Sequence, residues 1–123
     1  MQKRIMVVDD SRVVHLQVEK MLEGTDYEVV ACFRDGENAI DQYDYVQPDV
    51  VTMDIIMPGI DGLETTRILL QEHPEAKIVM LSSLVYDDTI AEAKELGAKG
   101  FIYKPFEQDQ LLTALDQAMN ENL

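Results

Sequence analysis

Four short apolar runs rich in β-branched residues, separated by longer segments with helical periodicity, constrain the fold of this chain more than any other feature. Runs this short and this continuously apolar are typical of strands that are buried on both faces of a parallel sheet. A fifth run, Tyr27–Phe33, is more mixed in composition but fits the same pattern. The four clear runs are residues 5–8, 50–53, 78–81 and 101–103.

The segments between the runs carry apolar residues at helical spacing. Ser11 is a good N-cap for the first segment, which places Val14 and Val18 on one side and ends before Gly24. The last segment carries an apolar stripe built largely of leucines. The other predicted helices cover residues 38–46, 63–72 and 87–96, and the last covers residues 109–120. This alternation predicts the α/β class, with five βα units that form a five-stranded, doubly wound parallel sheet with helices on both faces.

A chain of 123 residues has the common size of one domain. No Pro-, Gly- or Ser-rich linker, internal repeat or low-complexity tract interrupts it, so we expect a single domain over residues 1–123. Because the last predicted helix runs nearly to Leu123, we also expect no separate output domain.

Charge and apolar content exclude several classes of function. The formal net charge of −14 argues against direct nucleic-acid binding, since phosphate backbones attract basic surfaces. No signal peptide follows Lys3 and Arg4, and no apolar stretch approaches the about 20 residues that a membrane span requires. The lone cysteine, Cys32, cannot form an internal disulfide and is interpreted as a small packing residue. We therefore expect a cytoplasmic protein without membrane insertion.

Polar residues follow the ends of four predicted strands. They are Asp9 and Asp10 after the first strand, Asp54 after the third, Ser82 after the fourth and Lys104 after the fifth. In a doubly wound sheet the carboxyl ends of the strands meet at one edge, and ligands bind there at the topological switch point. Three carboxylates, a hydroxyl and a lysine should therefore converge at that edge.

Clustered carboxylates repel one another unless a cation lies between them. Mg²⁺ suits such a cluster, because it takes oxygen ligands and is typically held by one or two carboxylates and a phosphate. Asp10 and Asp54 would supply the carboxylates, and Asp9 would act through a water. A carboxylate can also attack phosphorus to give an aspartyl phosphate. Lys104 and Ser82 would then neutralise and hydrogen-bond the oxygens of the phosphoryl group.

The joint pattern of these residues resembles the receiver domains of bacterial two-component response regulators, and the likeness extends over the whole chain. Its overall look is most similar to stand-alone, CheY-like receivers of chemotaxis. The residues that carry the resemblance are the pair Asp9-Asp10, the stretch 53–62 (Met-Asp-Ile-Ile-Met-Pro-Gly-Ile-Asp-Gly), Ser82 and the trio Lys104-Pro105-Phe106.

The resemblance implies a flavodoxin-like sheet with strand order 2-1-3-4-5. It implies that a histidine kinase phosphorylates Asp54, and that the chain is a phosphoacceptor with weak self-phosphorylating and self-dephosphorylating activity. It also implies a Mg²⁺ site formed by Asp10, Asp54 and the backbone carbonyl of Ile56, with Asp9 acting through a water.

The same resemblance implies a two-state switch. Ser82 and Lys104 would contact the phosphoryl group, and the ring of Phe101 would turn inward. The surface of the fourth helix, fifth strand and fifth helix would then change its preference for an output protein, for which the flagellar motor switch is one expectation. A cis peptide bond before Pro105 and a helix entry that needs the backbone freedom of Gly62 are also implied.

Two positions depart from the pattern of many receivers. Ile56 and Leu84 are apolar where a polar side chain often lies, so neither can hold an attacking water by hydrogen bonding. Phe101 lacks the hydroxyl that a tyrosine carries at this position in many chemotaxis receivers. His15 and His73 lie on different predicted helices without a partner at metal-ligand spacing, and we interpret both as surface or helix-face residues.

Other functions remain open at this point. The chain can be a phosphorelay intermediate, or the receiver fragment of a longer regulator. A metal-dependent phosphatase of the haloacid-dehalogenase type would place a second Asp two residues after the nucleophile, where this chain has Ile56. Flavin binding on the same fold would need a phosphate-cradling loop after the first strand, where Asp9 and Asp10 would repel phosphate.

Overall fold

The computed structural model describes residues 2–83 and 86–120, and its backbone alternates strands and helices as predicted. None of the helices within those residues is long and apolar enough to cross a membrane. In chain order the elements are β1 Lys3–Val8, α1 Arg12–Leu22, β2 Tyr27–Phe33, α2 Gly36–Val46, β3 Val50–Asp54, α3 Gly62–Glu72, β4 Ile78–Ser82, α4 Asp87–Leu96, β5 Gly100–Tyr103 and α5 Gln108–Asn120.

The five strands form one parallel sheet in the order β2-β1-β3-β4-β5, which confirms the predicted topology. Helices α1 and α5 cover one face, and α2, α3 and α4 cover the other. The chain runs outward from β1 to β2 and then crosses back to β3. The switch in direction therefore lies between the carboxyl ends of β1 and β3, where ligands bind in sheets of this kind.

Each face of the sheet has its own hydrophobic cluster. Val18, Leu111 and Leu115 fill the cluster beneath α1 and α5, and Leu69 and Met80 belong to the cluster beneath α2, α3 and α4. All residues of β3 and β4 are buried, because these central strands are covered on both faces. This burial explains the continuous apolar runs in the sequence.

Helix starts differ in how they are capped. The side chains of Ser11, Asp35 and Asp61 accept hydrogen bonds from backbone N–H groups in the first turns of α1, α2 and α3. The cap on Asp35 starts α2 at residue 36, two residues before the predicted start at 38. By contrast, α4 follows Tyr86 without a side-chain cap, and Ala93 is its one buried residue among those the structure describes.

His73, interpreted from the sequence as a surface or helix-face residue, lies at the C-terminal end of α3 and packs against α2. Its side chain is only 15% exposed, and its ring lies against Tyr43 with 4.3 Å between the ring centroids. Its Nε2 lies 3.5 Å from a carboxylate oxygen of Asp44. Cys32 is half-buried beside the cluster beneath α1, and burial raises the pKa of its thiol to about 11, as suits a packing residue.

Candidate functional site

Three predicted carboxylates converge at the carboxyl edge of the sheet. Asp9 directly follows β1 and Asp54 ends β3, and these strands are neighbours in which Val8 lies opposite Met53. One carboxylate oxygen from each of Asp9, Asp10 and Asp54 lies within 4.8 Å of the other two. The structure therefore brings together the acidic residues that the sequence placed at one edge.

Burial makes this cluster costly in the absence of a cation. Asp9 and Asp54 are buried, whereas Asp10 is exposed. Desolvation and, next, the charge of Asp9 raise the pKa of Asp54 from its ordinary value of 3.8 to about 6, although Lys104 acts in the opposite direction. The carboxylate is thus destabilised by its surroundings, and positive charge delivered to the site would relieve that cost.

Lys104 supplies part of that positive charge. Its Nζ lies 2.6 Å from Oδ2 of Asp9 and 3.3 Å from Oδ1 of Asp54, so one ammonium group bridges two of the three carboxylates. Its backbone N–H donates to the carbonyl of Ser82 at 2.9 Å, which extends the β4–β5 pairing to the edge of the site. The Lys104–Pro105 peptide bond is cis, as the resemblance implied.

Ser82 and Phe101 lie on the β4–β5 side of the edge. Ser82 is the last residue of β4 and is buried opposite Tyr103. Phe101 is half-buried in β5, its ring 5.5 Å from the ring of Tyr103, beside a cavity of about 280 Å³ that also touches Ala93 of α4. Leu84, which we expected to affect hydrolysis, lies outside the described residues.

The loop between β3 and α3 is fixed at both ends. The Ile55 carbonyl accepts a hydrogen bond from the N–H of Gly62 at 2.7 Å, one residue before the carbonyl of Ile56. A Cβ atom on Gly62 would lie 1.9 Å from the carbonyl oxygen of Asp54. Gly62 is therefore needed for close backbone approach, and its φ is not positive. The expectation that it supplies backbone freedom was wrong. The Ile56 side chain is 57% exposed.

Sequence reasoning missed three side chains that hold the backbone of the site. His15 lies on the buried face of α1, and its Nε2 lies 2.7 Å from the Asp9 carbonyl, a contact that its interpretation as a surface or helix-face residue did not include. The signal was present, because His15 directly follows Val14 on the buried stripe of α1.

Two other side chains hold the backbone of the site from further away in the sequence. Arg34 donates to the Asp10 carbonyl at 3.3 Å. Glu37 accepts from the N–H of Ile60 at 3.2 Å. The contacts of Arg34 and Glu37 join residues 24 and 23 positions apart in the sequence, so they leave no local pattern.

The donor set suits a hard divalent cation. Its side-chain atoms are carboxylate oxygens, one of them on the exposed Asp10, through which a hydrated ion can enter. Mg²⁺ prefers oxygen ligands and retains several waters when it binds to few protein groups. The residues present therefore fit the magnesium ion that the sequence predicted.

Comparison with known proteins assigns the family. Residues 5–116 match the model of the response regulator receiver domain. The chain is 38% identical to the chemotaxis protein CheY of Listeria monocytogenes, over 94% of this chain and 97% of the relative. A two-component response regulator of the LuxR family from Aurantimonas superposes with a TM-score of 0.92, at 30% identity, covering 98% of this chain and 87% of that one.

A second solved structure is similar at the level of the whole fold. It is the complex of CheX and CheY with BeF₃ and Mg²⁺ from Borrelia burgdorferi, which superposes with a TM-score of 0.87 at 28% identity. The match covers 92% of this chain and 86% of that chain. Receivers of this family are phosphoacceptors that bind Mg²⁺ at an acidic pocket and interact with kinases and output proteins. The chain belongs to the response regulator receiver domain family of two-component signal transduction, and within it is a CheY-like chemotaxis receiver.

Proposed function

We propose that Asp54 accepts a phosphoryl group from the phosphohistidine of a histidine kinase, and that the acyl phosphate switches the binding of output proteins. The observation that carries this proposal is the geometry around Asp54. Its buried carboxylate lies at the end of a central strand, 3.3 Å from the ammonium group of Lys104 and beside two further carboxylates. This arrangement positions a nucleophile among groups that can neutralise a phosphoryl group.

The residues have distinct roles in the transfer. With a pKa of about 6, Asp54 is largely ionised at neutral pH, and one of its oxygens forms a bond to phosphorus. The phosphorus–nitrogen bond of the donor breaks, and its electron pair returns to the imidazole nitrogen. Lys104 offsets the charge of the phosphoryl oxygens, and the Ser82 hydroxyl donates a hydrogen bond to one of them. Asp10, Asp54 and the Ile56 carbonyl would hold Mg²⁺, with Asp9 acting through a water, and the ion would supply further positive charge.

The side that reads the phosphorylation state is formed by α4, β5 and α5. Ser82 and Lys104 are joined through their backbones, so a pull on the Ser82 hydroxyl is transmitted to β5. Phe101 lies on that strand beside the cavity against α4, which gives its ring a place to turn. The flagellar motor switch is our proposed output partner, and a cytoplasmic location stays a prediction.

The same site favours slow hydrolysis of the acyl phosphate on Asp54. Ile56, which is exposed and follows the phosphoacceptor by two residues, offers no acid or base that would activate water. We propose weak self-phosphorylation from small phosphodonors and slow self-dephosphorylation, as suits a switch rather than a hydrolase.

The proposal is tested by labelling with a small acyl phosphate and Mg²⁺. The wild-type protein should gain one phosphoryl group that hydroxylamine removes, and Asp54→Asn should gain none. Asp41→Asn is the matched control, because Asp41 is an exposed carboxylate on α2 and should not affect labelling. Stoichiometric labelling of Asp54→Asn would contradict the assignment of the acceptor.

The metal site is tested separately. Asp10→Ala should weaken Mg²⁺ binding and slow phosphorylation together, because it removes the exposed carboxylate of the cluster. Binding is followed from the backbone amide shifts of the protein during titration with MgCl₂. An unchanged affinity in this variant would place the metal elsewhere.

A further inference from the structure

Asp9 is held by hydrogen bonds at every polar group it has. Its backbone N–H donates to the carbonyl of Phe33 at 3.0 Å. Its carboxylate accepts from the N–H of Ser11 at 2.9 Å and from Lys104 at 2.6 Å. Its carbonyl faces Nε2 of His15 at 2.7 Å. The residue is fully buried, so water does not compete for these bonds.

The bond to His15 replaces a strand partner. Pairing of β1 with β2 and with β3 ends at Val8, so the carbonyl of Asp9 lies just beyond both ladders. A buried carbonyl without a donor costs free energy, and the imidazole of His15 supplies that donor from the second turn of α1. Because a carbonyl oxygen only accepts, Nε2 carries the hydrogen in either charge state of the ring.

This bond also holds the peptide unit that precedes Asp10. A peptide unit is planar and trans, so holding the Asp9 carbonyl also fixes the N–H of Asp10 on the opposite side. On the far side of Asp10, its own carbonyl accepts from Nε of Arg34 at 3.3 Å. Both peptide units that flank this exposed carboxylate are therefore held by side chains, and the His15 bond is the shorter and the more buried of the two.

We propose that His15 is a positioning residue for the metal site, which keeps the carboxylate of Asp10 beside those of Asp9 and Asp54 before Mg²⁺ arrives. The inference rests on the proposed function and adds a residue to it. The three carboxylates repel one another, and an exposed side chain on a free peptide unit would turn toward water. With the peptide unit held, the ion meets ligands that are already assembled, and less order has to be created on binding.

The test compares three substitutions at one position. His15→Leu removes the donor and keeps an apolar side chain of similar reach. His15→Gln places an amide nitrogen at about the distance of Nε2, whereas the amide of His15→Asn is one bond shorter and does not reach. Leu and Asn should weaken Mg²⁺ binding about three- to tenfold, the effect of one hydrogen bond, and Gln should restore it.

Mg²⁺ affinity is measured from backbone amide shifts during titration with MgCl₂, and thermal unfolding is measured without metal. In the metal-free protein the amide resonance of Asp10 should shift in the Leu and Asn variants and stay in place with Gln.

A lower unfolding temperature with unchanged Mg²⁺ affinity would reduce His15 to a structural role. Equal weakening by Gln and Leu would show that ring packing, and not the hydrogen bond, matters. If the Leu variant does not fold, the difference in Mg²⁺ affinity between the Asn and Gln variants tests the role of the hydrogen bond.

Asp10→Ala is measured in parallel. If it weakens Mg²⁺ binding and the His15 variants do not, this inference fails and the proposed metal site stands. If Asp10→Ala also leaves the affinity unchanged, the metal site itself is wrong.

Discussion

The two halves of the sheet differ in how firmly they are held. In the half formed by β1 and β3, every helix start carries a side-chain cap, and the β3–α3 loop is bonded at residues 55 and 60. In the half formed by β4 and β5, α4 follows Tyr86 without such a cap. Among the described residues, Ala93 is the only one that α4 buries and Ile102 the only one that β5 buries.

The difference separates two tasks within one small domain. A phosphoacceptor and its metal ligands have to stay in place, because transfer depends on positioning. A switch needs a segment with two arrangements of similar free energy, and such segments bury few apolar contacts. The half with the carboxylates is held firmly, whereas in the other half α4 and β5 each bury a single described residue although β4 is buried throughout, so each task falls where the packing suits it.

The largest expected effect compares one glycine from each half. Gly62→Ala should lower the free energy of unfolding by about 3 kcal/mol or more, since the new Cβ would lie 1.9 Å from the Asp54 carbonyl oxygen. Gly100→Ala is the matched control, because its Cβ would meet only Val79 side-chain atoms at 3.6 Å or more. Urea unfolding of both variants measures the difference. Equal losses would mean that the two halves tolerate added volume alike.

A second prediction concerns Asp54 without metal. Its folded-state pKa of about 6 lies above its ordinary value of 3.8. Between these values the unfolded chain ionises first, so this group lowers stability as pH rises from about 4 to 6. Asp54→Asn cannot ionise, so at pH 7.5 in EDTA its free energy of unfolding should exceed that of wild type by up to about 3 kcal/mol. The gain should vanish near pH 3.5. A gain that is independent of pH would show that ionisation is not its cause.

The caps give a third and smaller effect. Asp61→Ala should cost about 1 kcal/mol, because it removes the bond to the N–H of Glu64. Tyr86→Ser should stabilise the start of α4 by a similar amount, since it supplies the cap that this helix lacks in the described structure. Hydrogen exchange of the α4 amides should slow in Tyr86→Ser. If exchange is unchanged, the missing cap does not account for the looseness of this half.

The smallest effect tests a defect in the firmly held half. Thr52 is fully buried in β3, and its hydroxyl has no hydrogen-bond partner among residues 2–83 and 86–120. Thr52→Val removes the unpaired hydroxyl at nearly constant shape and should stabilise the fold by up to about 1 kcal/mol. Thermal unfolding measures it, with Thr113→Val on the exposed side of α5 as the control. A loss of stability in Thr52→Val would show that the hydroxyl is paired in solution.

The sequence predicted the part of this molecule that local pattern determines. Continuous apolar runs gave the strands, and the carboxyl-edge rule brought Asp9, Asp54 and Lys104 together. The start of α2 was placed late, although Asp35 carries the cap signal. The bond from His15 to the Asp9 carbonyl was not predicted, although the two residues are only six positions apart and His15 follows Val14 on the buried stripe of α1. The bonds that Arg34 and Glu37 make to the backbone of the site join residues 24 and 23 positions apart, and such contacts depend on the folded geometry and not on neighbouring residues.

The cavity beside Phe101 offers a way to observe the switch optically. The chain contains no tryptophan, so Phe101→Trp would create a single indole fluorophore. Its emission would depend on whether the ring lies in the space of about 280 Å³ against α4 or faces water. The time course of this emission would therefore report how fast the ring at position 101 moves.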